Sequence, residues 1–218
     1  MHAYSEGFLA LCSRHDTGLV GGDITAGQLA ISVTVMGEVA SGQALTRHGA
    51  RPGDIIAVTG ALGGGAGGLA LWQQGERDLA HPLIKRYLLP TPRLAAGQAL
   101  SGVASAALDI SDGLLADLGH LRRASGVGAE LDADALPLVE GLQDALGQSG
   151  ARQAALSGGD DYELLVSIPP DHWREACSTL ARLGIPLTAI GQCVDTPGVS
   201  GVMSECQDGW QHFVGETP

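Results

Sequence analysis

Three acidic turns punctuated by glycine stand far apart in this chain of 218 residues: Gly21-Gly22-Asp23, Asp109-Ile110-Ser111-Asp112-Gly113 and Gly158-Gly159-Asp160-Asp161-Tyr162-Glu163. Each adjoins a short apolar run, respectively Leu19-Val20, Ala106-Ala107-Leu108 and Leu164-Leu165-Val166. Glycine tolerates positive φ and Asp bonds to nearby backbone, so both favour turns. An apolar run that meets such a turn reads as a buried strand stopping at a sheet edge, where side chains from separate elements converge. Carboxylates gathered there suit a hard divalent cation, and magnesium in particular leans on phosphate and water for its other ligands. A metal–nucleotide site is therefore the first reading.

The rest of the pattern sets the fold class. Phe8, Leu9, Leu11 and Cys12 have helical spacing within residues 4–15. Leu29, Ile31, Val33 and Val35 alternate with smaller or polar residues and predict a long strand. Further strands are expected at 54–59, 106–109, 129–131, 162–168 and 187–194, with helices within 63–124, at 138–147 and at 171–183. Strands and helices alternate without strict strand–helix–strand regularity. That favours a mixed, layered α/β fold of the α+β type over a doubly wound parallel sheet.

Composition narrows the partners. The formal charge is −12, one Lys stands beside eleven Arg, and no basic run exceeds a pair such as Arg122-Arg123. A nucleic-acid backbone needs clustered cations, so nucleic acid is not an expected partner. An anionic substrate has to be met by metal ions and a few aimed Arg side chains. Ile55 to Trp72 carries no charge but contains six Gly, which argues against a membrane span. The first residues show neither a basic nor an apolar leader segment. Cys12, Cys177, Cys193 and Cys206 are scattered without zinc-type spacing and read as reduced, mostly buried thiols. A soluble cytoplasmic protein is expected.

Several motifs leave two readings open. Gly60-Ala61-Leu62-Gly63-Gly64-Gly65-Ala66-Gly67-Gly68 follows a strand and opens a helix. It lacks the Gly-Lys-Ser/Thr ending of a P-loop and the downstream acidic strand end of a dinucleotide fingerprint. Either its backbone N–H groups cradle a phosphate or its glycines allow close helix packing. In the second acidic turn Ser111 or Asp112 is a helix N-cap or part of a metal–phosphate site; the cap alone leaves Asp109 without a task. In the third, three carboxylates within four positions repel one another unless a cation lies among them, the alternative being a solvated turn. Arg47 is a phosphate contact or a surface ion pair. Trp210 and Phe213 dock the C-terminal tail or stack on a heterocycle.

Together with Gly49-Ala50-Arg51-Pro52-Gly53-Asp54 and Pro90-Thr91-Pro92-Arg93, the three turns resemble the thiamine-monophosphate kinase family in order and spacing over nearly the whole chain. The resemblance implies an aminoimidazole ribonucleotide synthetase-like fold, with residues 1–40 a remnant of a truncated N-terminal ATP- and metal-binding domain and residues 41–218 a complete C-terminal α/β domain. It implies magnesium-dependent phosphoryl transfer from ATP to thiamine phosphate, giving thiamine diphosphate, in a homodimer built through the N-terminal domains. By the same resemblance Asp23, Asp109 and Asp112 are metal ligands, the latter two catalytic. Gly22, Asp23, Arg47 and Ser111 meet ATP, and Glu163 and Trp210 meet the thiamine side. Ala26 and Gly64 stand where the family commonly has Arg and Asp. The alternative is a module that binds nucleotide or thiamine phosphate without turnover.

Overall fold

The computed structural model describes residues 2–202, and the chain divides into two units, Met1–Ala40 and Ser41–Pro218. In the first unit helix α1 (His2–Arg14) buries no side chain, and Tyr4 and Phe8 stack one turn apart with ring centroids separated by 6.1 Å. The strand expected over Leu29 to Val35 does not form: the segment has no ladder partners among the described residues, and Leu29 and Val35 are 88% and 76% exposed. Alternation suits a pleated face, but a strand exists only when its backbone groups pair with a neighbour.

The second unit is built on one six-stranded sheet. Its elements are β1 (Ile55–Thr59), α2 (Gly64–Gln73), α3 (Pro82–Leu88), α4 (Leu94–Leu100), β2 (Ala106–Asp109), α5 (Leu114–Ser125), β3 (Gly128–Leu131), α6 (Leu142–Ser157), β4 (Leu164–Ile168), α7 (Trp173–Arg182), β5 (Leu187–Val194) and the short β6 (Val199–Ser200). Strand order is β2-β4-β1-β5-β3-β6, antiparallel throughout except for the parallel β3–β6 pair. The mixed α+β expectation holds.

Side chains alternate across this sheet with the period of two that a pleat imposes. Ile56, Val58, Ala106 and Leu165 face Leu114, Leu118 and Leu121 of α5 and Ala155 and Leu156 of α6. Ala57, Ala107, Val166 and Ile168 face Ala96 and Leu100 of α4 and Ala176 and Leu180 of α7. Helices thus cover both faces, and a smaller cluster joins Leu83 of α3 and Val139 to Leu142, Ala151 and Ala154 of α6, with Ala66 and Leu71 of α2 packed against it.

Helix α6 differs from its expected span of 138–147. It begins at Leu142 and runs to Ser157 across a kink at Gly147, whose φ of 71° and ψ of 170° only glycine adopts readily. Gly147 and Gly150 read as terminators, yet Ala151, Ala154, Ala155 and Leu156 bury against neighbours and carry the helix onward. Among the described cysteines all thiols are free but only Cys193 is buried, so the expectation of mostly buried thiols holds there alone. No helix among the described residues is long and apolar enough to cross a membrane.

The antiparallel pairing sends one set of strand ends to one edge. Asp109, the last residue of β2, lies opposite Leu164, the first of β4, and Thr59, the last of β1, lies opposite Leu187, the first of β5. Turns 110–113 and 158–163 therefore both sit at this edge.

Candidate active site at one edge of the sheet

The second and third acidic turns are bonded to each other. Ile110 N–H donates to the Glu163 carbonyl at 2.8 Å, Tyr162 N–H to the Ile110 carbonyl at 2.8 Å, and Asp160 N–H to the Ser111 carbonyl at 2.9 Å. Fully buried Ile110 anchors the crossing in the core. The backbones approach so closely that a Cβ on Gly159 would lie 2.6 Å from the Ser111 carbonyl oxygen, and one on Gly113, at φ 108°, 2.9 Å from that of Ser157. These two glycines are required by contact, beyond turn preference.

Helix α5 begins after Gly113 without a side-chain cap, so neither Ser111 nor Asp112 is its N-cap. Buried Asp117 in the first helical turn reaches back and accepts N–H bonds from Ser111 and Asp112, both at 3.0 Å. Burial pushes the Asp117 carboxyl pKa up; the two N–H bonds pull it down, and the charges of Asp112 and Asp109 add to the rise. Ligand atoms of Asp112, Asp117 and His120 lie within 4.8 Å of one another. Tyr162 donates its hydroxyl to Asp160 at 2.9 Å. That bond, burial and the charges of Asp160, Asp109 and Asp112 raise the phenol pKa. Asp109, Asp112 and Asp160 therefore share one negative field, and a set rich in carboxylate oxygens fits magnesium by donor chemistry.

The third turn separates its carboxylates. Asp160 is exposed and sits at φ 65°. Asp161 is buried and accepts from Gly63 N–H at 2.7 Å and Gly65 N–H at 3.1 Å at the start of α2, while burial pushes its pKa up to about 6. Glu163 is wholly enclosed. Arg93 grips it with two bonds of 2.6 Å, Arg86 adds one of 3.0 Å, and the Thr59 hydroxyl donates at 2.7 Å. Of the three carboxylates, only Glu163 is met by cations; Asp161 is met by backbone N–H groups and Asp160 by the Tyr162 hydroxyl.

The glycine-rich turn resolves in favour of packing. Its N–H groups hold Asp161, so the phosphate-cradle reading is corrected for Gly63 and Gly65. A Cβ on Gly65 would lie 2.5 Å from the Gly159 carbonyl oxygen, and one on Gly68 would overlap that of Leu83. A side chain at Gly64 would press on Arg86 and Val139 at about 3 Å.

Other expected residues belong to neither of these two turns. Gly22 and Asp23 are exposed in the first unit, where Asp23 accepts the Ile24 N–H at 2.8 Å. Arg47 is exposed in the segment that runs along β2, where the Thr46 carbonyl accepts from Ala107 N–H at 2.9 Å. The Ser125 hydroxyl binds that segment, and buried Asp54 closes the neighbouring turn by accepting from Arg51 N–H at 3.0 Å. Trp210 and Phe213 lie outside the described residues. A cavity of about 360 Å³ bounded by Asp134, Leu136, Leu138, Gln143 and Arg152 contains none of these groups. Asp117, Arg86 and Ser125 escaped notice in the sequence because each is a single polar residue in an ordinary helix. Arg93 was visible only as part of Pro90-Thr91-Pro92-Arg93.

The AIR synthase related protein family, C-terminal domain, matches residues 51–204. The chain is 45% identical over 196 residues to the thiamine-monophosphate kinase of Salmonella typhimurium, covering 88% of this chain and 60% of that protein. The chain belongs to the thiamine-monophosphate kinase family. A crystal structure of thiamine-monophosphate kinase from Stenotrophomonas maltophilia superposes with a TM-score of 0.87 at 47% identity, covering 91% of this chain and 66% of that one. AaThiL complexed with AMPPCP and TMP is similar at TM-score 0.67 and 34% identity, over 78% of this chain and 54% of that one. The fold of this family member is thus the aminoimidazole ribonucleotide synthetase-like one. The chain spans 60% of the length of the Salmonella relative.

Proposed function

We propose that this chain carries the carboxylate turns and the acceptor side of an ATP-dependent kinase that converts thiamine phosphate to thiamine diphosphate, in the cytoplasm and as a homodimer. The observation that carries the reading is the backbone-to-backbone bonding of the Asp109–Gly113 and Gly158–Glu163 turns at one sheet edge. A family member is described with AMPPCP and TMP, a nucleotide analogue and the acceptor of this reaction.

Donor and acceptor are both phosphate anions, and the attacking oxygen is already largely ionised near neutral pH, so the obstacle is charge repulsion rather than proton removal. Asp109 and Asp112 are the residues of the second unit that would hold magnesium, which when bound would neutralise and align the phosphates. Asp117 keeps Ser111 and Asp112 in place through their N–H groups. Arg47 and Ser111 contact the nucleotide. Trp210 supplies an aromatic face to the thiamine side. Glu163 contributes to that side through Arg86 and Arg93, because its own carboxylate faces inward.

Mixing the chain with ATP, magnesium and thiamine phosphate and detecting thiamine diphosphate by mass tests this reading. Product is expected, and Asp112→Asn is expected to lower its rate by about a hundredfold or more, the loss associated with removing one strong electrostatic contact at a reacting phosphate. Because the chain spans 60% of a relative's length, a module that binds without turnover is the second reading. Magnesium-dependent binding of either ligand with no product would favour it, and absence of both would overturn the proposal.

A further inference from the structure

Ser125 is the last residue of α5, and its hydroxyl is used to full capacity on one loop. It donates to the Arg47 carbonyl at 3.1 Å and accepts from Gly49 N–H at 3.2 Å and Ala50 N–H at 3.1 Å. A serine hydroxyl has one proton and two lone pairs, so no capacity remains for another partner. Residues 41–50 form no helix or strand. Their other hydrogen bonds among the described residues are the Thr46–Ala107 backbone bond, a bond from the Ser101 hydroxyl to the Gln43 carbonyl, and a Thr46 hydroxyl turn around His48, while Leu45 and Ala50 pack on the core. Gly49 holds φ 128° with no room for a Cβ beside the Ser105 carbonyl, so the loop passes close to the start of β2 there. The Arg47 guanidinium makes no ion pair among the described residues.

We propose that Ser125 is a positioning residue for nucleotide binding: it fixes the backbone from which Arg47 reaches the nucleotide, in register with the Asp109–Gly113 turn at the opposite end of α5. This rests on the assignment of Arg47 to the nucleotide. The coupling is mechanical. A helix of 12 residues is a rod of about 18 Å. Its N-terminus carries the Asp117 clasp on Ser111 and Asp112, and its C-terminus carries the Ser125 clasp on the Arg47 loop. Ordering a loop on binding costs backbone entropy, so a loop already clasped in place spares that cost when Arg47 pairs with phosphate.

The test is calorimetric titration of AMPPCP with magnesium into the whole chain as wild type, Ser125→Ala, Ser125→Thr, Arg47→Gln and the Ser125→Ala/Arg47→Gln double variant. Arg47→Gln should weaken binding by roughly tenfold or more and Ser125→Ala by about threefold to tenfold, the range for one charge-assisted contact and for its misplacement. The double variant should bind no worse than Arg47→Gln alone, and Ser125→Thr, which keeps the hydroxyl, should bind like wild type. In Ser125→Ala the Gly49 and Ala50 amides should exchange with solvent faster. Losses that multiply in the double variant, wild-type affinity in Ser125→Ala, or unchanged exchange at Gly49 and Ala50 would each overturn the inference while leaving the nucleotide assignment intact. Wild-type affinity in Arg47→Gln would instead remove the assignment, and the inference with it.

Discussion

Asp161 and Glu163 are two positions apart, yet their carboxylates are buried in opposite ways. Glu163 is met by two guanidinium groups, whereas Asp161 is met by neutral N–H groups, and burial therefore dominates its pKa. With a folded value of about 6 against an ordinary 3.8, the native state binds the Asp161 proton more tightly than the unfolded chain. That contribution to stability is full below pH about 4 and is lost as pH rises through about 6. Urea unfolding should show the wild type losing stability relative to Asp161→Asn across this window, with a slope of at most about 1.4 kcal/mol per pH unit. A difference that stays flat or rises would contradict the assignment. Glu163→Gln leaves two guanidinium groups, one only 14% exposed, facing a neutral amide. A loss of about 3 kcal/mol in the same measurement is expected, and less than 1 would show that solvent compensates the charges. The spacing of Asp160, Asp161 and Glu163 left open a cation among them or a solvated turn, and only Glu163 meets cations. It was silent on which partners, because Arg93 reaches Glu163 across 70 residues and the Gly63 N–H reaches Asp161 across 98.

Helix α2 is where an ambiguous motif became a definite element. Its glycines look alike in the sequence, but Gly65 abuts the third acidic turn and Gly68 abuts α3. Gly65→Ala adds a methyl 2.5 Å from a backbone oxygen that cannot swing aside, so overpacking should cost about 1–3 kcal/mol despite the better helix propensity of alanine. Gly75→Ala is no fair control, since its φ is 97°; Gly97→Ala in α4 is, because its Cβ would meet only a Leu164 methyl at 3.8 Å. Thermal unfolding of the two variants should separate them by several degrees, and equal midpoints would sink the close-packing account. Strands β1, β2 and β5 were legible from apolar runs bounded by turns. The alternation at 29–35 was just as clear and yields no strand here, because pairing depends on a neighbour that local pattern does not report.

Every fully buried apolar side chain among the described residues lies at Ala50 or later. Apolar burial drives cooperative unfolding, so residues 41–218 prepared alone should unfold with nearly the urea midpoint and m-value of the whole chain. A large fall in either would mean that the first unit contributes buried surface. Patterns within ten residues sufficed to locate the acidic turns, most strands and the mixed α/β class, because backbone preference and alternation act locally. Strand order, the bonding of one acidic turn to the other, the filling of the glycine-rich turn by Asp161 and the clasp of Ser125 on the Arg47 loop all join positions about 50 to 140 apart. Such partners are chosen by the cost of leaving buried polar groups unpaired once both faces of the sheet are covered, a condition that arises only when the chain has closed on itself.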